Sequence, residues 1–93
     1  MAALEPSPRL RRKAGMERIA ELLAELRALG GLHEKRPGHF QLGPHPLLHF
    51  HFPPDGTIVA DVRSKKGRID HFDISGAGGQ QELLTVIQAR LES

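Results

Sequence analysis

Two short connectors, "PPDG" at 53–56 and "SKKG" at 64–67, constrain this chain more than any other feature. Both end in glycine. Both separate runs that alternate apolar and polar residues: 47–52 (LLHFHF), 57–63 (TIVADVR) and 68–74 (RIDHFDI). Type I turns favour Ser or Asp first, Pro second and Gly fourth. A three-residue hairpin loop is such a turn closed by a left-handed residue, usually glycine. The connectors therefore pair Pro53 with Thr57 and Ser64 with Arg68.

That register can be tested against burial. It sets Phe52 opposite Ile58, Phe50 opposite Ala60 and Leu48 opposite Val62. On the next strand Ile74 falls opposite Ile58, and Phe72 opposite Ala60. One face becomes apolar, with Asp70 the exception at its edge. A slip of one residue would turn Asp61 onto that face. Turn chemistry and hydrophobic pattern agree, which is how a sequence specifies one pairing.

The rest of the chain supplies layers. In 16–29 (MERIAELLAELRAL), Ile19, Leu22, Leu23, Leu26 and Leu29 form a helical stripe, with Glu17, Glu21 and Glu25 on the solvated side. Gly30-Gly31 ends that helix. Leu83, Leu84, Ile87 and Leu91 make a second stripe in the C-terminal segment. "HFQL" at 39–42 reads as a strand, "LHEKRPG" at 32–38 as a loop and "GPHP" at 43–46 as a turn. The expected fold is α+β: a two-layer sandwich in the order α-β-β-β-β-α, a four-stranded antiparallel meander with both helices on one face. "GAGG" at 76–79 lacks the lysine and the spacing of a phosphate loop and reads as a connector.

Ninety-three residues support one domain. The net charge of +2 is concentrated in residues 1–15, where Arg9, Arg11, Arg12 and Lys13 face only Glu5. This segment is expected to be a basic flexible tail, with the domain at 16–93. Pro6 and Pro8 interrupt any apolar leader, and no run approaches the roughly 20 apolar residues of a membrane helix. The absence of cysteine excludes disulfides, thiolate ligands and thiol nucleophiles. A cytoplasmic protein without a membrane partner is expected.

The same register dictates the sheet's second face. His49, Asp61 and His71 fall in one row across three strands, and His51, Val59 and Asp73 in the next. Pairing Phe40 with Phe50 adds Gln41 to the first row and His39 to the second. Directly opposed residues have Cβ atoms roughly 4.5–5.5 Å apart. His39, His49, His51, His71, Asp61 and Asp73 therefore converge on one patch.

Such a patch has three uses. As an interface it would bury Leu47, Val59 and Ile69 against a second copy, and the expected role is a small interaction or assembly module, a homodimer. Histidines in that contact would make assembly pH-sensitive. The alternative is a divalent transition-metal site or small metalloenzyme built on His49, His51, His71 and Asp61, with His39 and Asp73 as further ligands. Imidazole and carboxylate suit zinc, nickel, copper, manganese and non-haem iron. The third use, a histidine base oriented by Asp61, has little support, because a flat sheet offers little pocket. Nucleic acid is not expected as a partner. All four aromatics, Phe40, Phe50, Phe52 and Phe72, belong to the core face and leave no stacking platform.

Overall fold

The computed structural model describes residues 6–93. The chain is α+β. Two N-terminal helices, α1 (Pro8–Arg18) and α2 (Ala20–Arg27), precede five strands. These are β1 (Leu32–Arg36), β2 (His39–Leu42), β3 (His45–His51), β4 (Val59–Arg63) and β5 (Ile69–Asp73), and helix α3 (Ala77–Glu92) follows. The strands form one antiparallel sheet in sequence order.

The central register follows the two connectors. Leu48 pairs with Val62, Phe50 with Ala60, and Ala60 with Phe72. Gly56 and Gly67 have φ of 86° and 84°, the left-handed region that a residue without Cβ enters at no steric cost. Ser64 N–H donates to Arg68 O at 2.7 Å, closing the second hairpin. Ile19, Leu22, Leu23 and Leu26 of α2 and its entry join Leu83, Leu84 and Ile87 of α3 over Phe40, Leu48, Phe50, Ala60 and Val62. Both of these helices thus cover the same face of the sheet. Phe40 and Phe50 meet edge to face, 6.5 Å between centroids.

Three features differ from the sequence expectation. The segment read as a loop at 32–38 is the edge strand β1 and its turn. Its inward positions are Leu32, which packs against the core, and Glu34, whose carboxylate takes two hydrogen bonds from Arg27 of α2 (2.7 and 3.0 Å) and one from Gly38 N–H at 3.0 Å. The Arg27 hydrogen bonds hold that carboxyl below its usual range. A charged inward residue conceals the strand from a hydrophobic pattern, and its charges blunt an exposed edge.

The second difference is the N-terminal segment. From Pro8 onward the expected loose tail is helical, and the single helix expected at 16–29 is broken at Ile19, its first residues belonging to α1 and the rest to α2. Ser7 caps α1 by accepting from Leu10 N–H at 3.2 Å, and Pro8 occupies the first turn. The basic side chains moor the helix: Arg11 donates to Phe52 O at 3.0 Å, Arg12 to Pro37 O at 2.5 Å and Arg18 to Gly56 O at 2.8 Å. Arg12 also lies 5.8 Å from the Phe52 ring centre. Residues 1–5 of the expected tail lie outside the described residues.

The third is the register of β2. Phe40 pairs with Leu48, not Phe50. The hairpin closes tightly with Leu42 opposite His45 across Gly43-Pro44, and the positive φ of 59° at Gly43 suits the first position of a type II′ turn. Between Phe40 and Gln41 the pairing shifts, leaving Leu47 as the extra residue of a bulge. Apolar Phe40 stays on the core face, but His39 moves opposite His49, and Gln41 leaves the histidine row.

Candidate metal centre

The centre is built on Asp61 of β4, a strand paired on both sides. His49 of β3 and His71 of β5 lie directly opposite it. Alternation turns all three side chains away from the helices, and His51 follows two residues along β3. His39 lies opposite His49, so four strands contribute to the row. The imidazoles of His39 and His49 stack with an interplanar angle of 2° and 5.9 Å between centroids.

Asp61 is only 6% exposed, the one charged side chain among the buried residues described. A buried carboxylate must be paired. Its Oδ1 takes a 2.5 Å hydrogen bond from His71 Nδ1. Its Oδ2 takes one of 2.6 Å from His51 Nε2 and lies 3.5 Å from His49 Nε2. Burial opposes ionisation here, but the hydrogen bonds from His71 and His51 outweigh it and hold the Asp61 carboxyl below the ordinary range. The ionised carboxylate can only accept, so His51 Nε2 and His71 Nδ1 are the protonated nitrogens.

His49 behaves differently. Burial first, and then the neighbouring His51, push its pKa down against the pull of Asp61, with Arg63 adding to the depression. His39 is lowered too, first by burial and then by Arg36 and Arg12. A lowered imidazole is neutral at neutral pH and keeps a lone pair to donate.

Ligand atoms of His49, His51 and Asp61 all lie within 4.8 Å of one another, a group that could hold a metal ion. His71 bonds the opposite carboxylate oxygen and orients Asp61. His39 stacks behind His49. Asp73 turns to its own chain instead: it accepts from Ser75 N–H at 2.9 Å, and the hydrogen bonds from Ser75 lower its pKa. The six residues expected to converge thus divide into a compact trio, two supports and one turn residue.

Of the apolar residues on this face, Ile69 is 42% exposed and Val59 is half-buried, whereas Leu47 is only 2% exposed. Leu47 lines a small cavity of about 30 Å³ with His49, Asp61, Arg63 and Ile69. Arg63 was not among the expected site residues, though it follows Asp61 on the same face by alternation and could have been found that way.

No family model, no curated protein and no solved structure matches the chain. Among the described residues no helix is long and apolar enough to cross a membrane.

Proposed function

We propose that the protein binds one divalent transition-metal ion on the open face of its sheet, through His49, His51 and Asp61. The observation that carries this reading is the clustering of three ligand atoms within 4.8 Å around a buried carboxylate. Zinc takes nitrogen and carboxylate oxygen at roughly 2.0–2.2 Å, which places tetrahedral ligands about 3.3 Å from one another. The 3.5 Å separation of His49 Nε2 from Asp61 Oδ2 is already near that value. The proton on His51 Nε2 occupies the space an ion would take, so ligation through that nitrogen moves the proton to Nδ1 of a neutral ring or releases it from a protonated one.

Two imidazoles and one carboxylate suit zinc, nickel, copper, manganese or non-haem iron. Three protein ligands leave coordination positions open for a small ligand or for a partner's side chain. His71 serves as the outer support that fixes the carboxylate.

The test is native mass spectrometry with elemental analysis, on protein made without a histidine tag, loaded with zinc, nickel or cobalt and then dialysed. One ion per chain is expected, and it should be absent from the His49→Ala/His51→Ala double variant. Failure to retain any of these ions stoichiometrically would remove the reading.

A homodimer is the second reading. Ile69 is one of two exposed large apolar side chains described, and it lies on this open face. A second copy seated there by two-fold symmetry would cover Ile69 and Val59 and bring two histidine rows together. A metal-free dimer in the same spectra would favour it.

A further inference from the structure

We infer that the protein has a second, separate binding site, for a small phosphate-bearing anion, where the β2–β3 and β4–β5 turns meet the C-terminal end of α3. A cavity of about 300 Å³ opens there, lined by His45, Arg63, Ser64, Lys65, Gly67 and Arg90 together with Pro46. Three permanent cations and an imidazole share this lining, and no carboxylate does. Among the described residues the Arg and Lys ion pairs are Arg27 with Glu34 and Arg68 with Asp70, so these three cations have no acidic partner.

Arg90 supplies an independent observation. Its Nε is buried and makes no hydrogen bond, the one such side-chain atom described. A buried, unpaired donor is costly, and a charged one more so. The negative end of the α3 dipole favours a cation in its last turn. That accounts for the charge of Arg90 but leaves the Nε–H without an acceptor. An Nε that water does not touch is equally closed to a ligand oxygen, so a phosphate would meet the terminal NH2 groups of the guanidinium, whose paired donors match phosphate geometry.

The remaining lining fits the same ligand. Ser64 Oγ accepts from Arg68 N–H at 3.1 Å, which leaves its own hydroxyl proton to donate. Lys65 stands beside it as a compact point charge. Ligand pockets begin at roughly 300 Å³. This cavity therefore has room for a phosphate and a small organic group, the size of a phosphate monoester. Arg63 also lines the small cavity beside His49 and Asp61, but none of the three proposed metal ligands lines this one, so the site does not require an ion at Asp61.

The experiment is an NMR titration of the full chain with inorganic phosphate and, separately, with glycerol phosphate, each against potassium chloride at equal ionic strength. Saturable shifts are expected at the Ser64–Gly67 amides and at the Arg90 Nε–H, but not with chloride. Tighter binding of the ester would identify a phosphorylated small molecule, and equal binding free phosphate. Arg90→Lys keeps the charge and removes the fork, and should weaken binding by about tenfold. Lys65→Gln, on an exposed turn, is the second variant should Arg90→Lys perturb the fold, and should weaken binding as well. Shifts that chloride reproduces, a titration that does not saturate, or affinities unchanged in a folded variant would overturn the inference.

Discussion

Asp61 Oδ2 is hydrogen-bonded to His51 Nε2 at 2.6 Å, although the residue directly across the ladder is His49, whose Nε2 is 3.5 Å away. The closer bond runs diagonally, to the residue two along β3. Diagonal neighbours on a sheet face are within reach of long or aromatic side chains. Two imidazoles from one strand thereby share one carboxylate oxygen, with their ring centres 4.7 Å apart. The other oxygen is left to His71. One carboxylate so divided has one side available to an ion and one side anchored.

That division separates ligand from support. His71→Ala should weaken metal binding about 10- to 100-fold while leaving one ion per chain, as outer-sphere losses do. Asp61→Asn should abolish stoichiometric binding. Its cost to folding should be no more than about 1 kcal/mol, because the released histidines are largely open to water. Competition against a chromophoric chelator measures the first effect, and urea denaturation the second.

Stability should fall with acid in two stages. The His49 and His39 pKa values are lowered by folding, so the unfolded chain binds protons first. Their contribution is complete above the unfolded histidine value of about 6.5 and declines as pH drops through the folded values. Asp61 is also lowered, and its contribution is lost below about 3.9, as pH falls through its folded pKa. Denaturation midpoints between pH 8 and 3 should show both declines, and His49→Ala should diminish the first. A flat profile from pH 7 to 5 would contradict the burial of His49. Metal affinity should drop over the upper range too, because protons compete for the same nitrogens.

If the open face joins two copies, Val59→Glu should yield monomer in sedimentation with or without metal, since a charge would be carried into the contact. Ile69→Glu should do the same. Leu47 is the weaker probe: at 2% exposed it is already covered by its own chain, so a charge there would report on folding instead. Unchanged sedimentation of both Val59 and Ile69 variants would direct the dimer reading to another surface.

The β3–β4–β5 register and the Asp61 row were readable because two turns and one alternation pattern agreed independently. The β2 register was not readable, because the bulge at Leu47 has no marker residue: its glycine sits in the turn, at Gly43. The shift moved His39 from the His51 row to the His49 row without disturbing Phe40. Strand β1 was hidden by Glu34, whose inward position is tolerable only because Arg27 arrives from α2. Helix α1 did announce its start with Ser7-Pro8, a cap and a first-turn proline. Its surface has no continuous apolar stripe, and periodicity alone passes over such a helix. What holds it, guanidiniums on distant carbonyls, is tertiary.

The docking of α1 has its own test. A Cβ added at Gly15 would come within 2.0 Å of the Phe52 ring, and one added at Gly79 within 1.9 Å of Asp73 O. The obstacle at Gly79 is backbone at the end of β5, which cannot step aside, so Gly79→Ala should cost about 1–3 kcal/mol by overpacking. The obstacle at Gly15 is a half-buried side chain, and alanine there gains roughly 1 kcal/mol in helix propensity. Gly15→Ala should still destabilise, by less than Gly79→Ala, because the ring must move and the Arg12 guanidinium lies beside it. Urea midpoints of the two variants decide this. If Gly15→Ala instead raises stability by the full propensity gain, Pro8–Arg18 is not packed on Phe52, and the mooring of α1 by Arg11 and Arg12 fails with it.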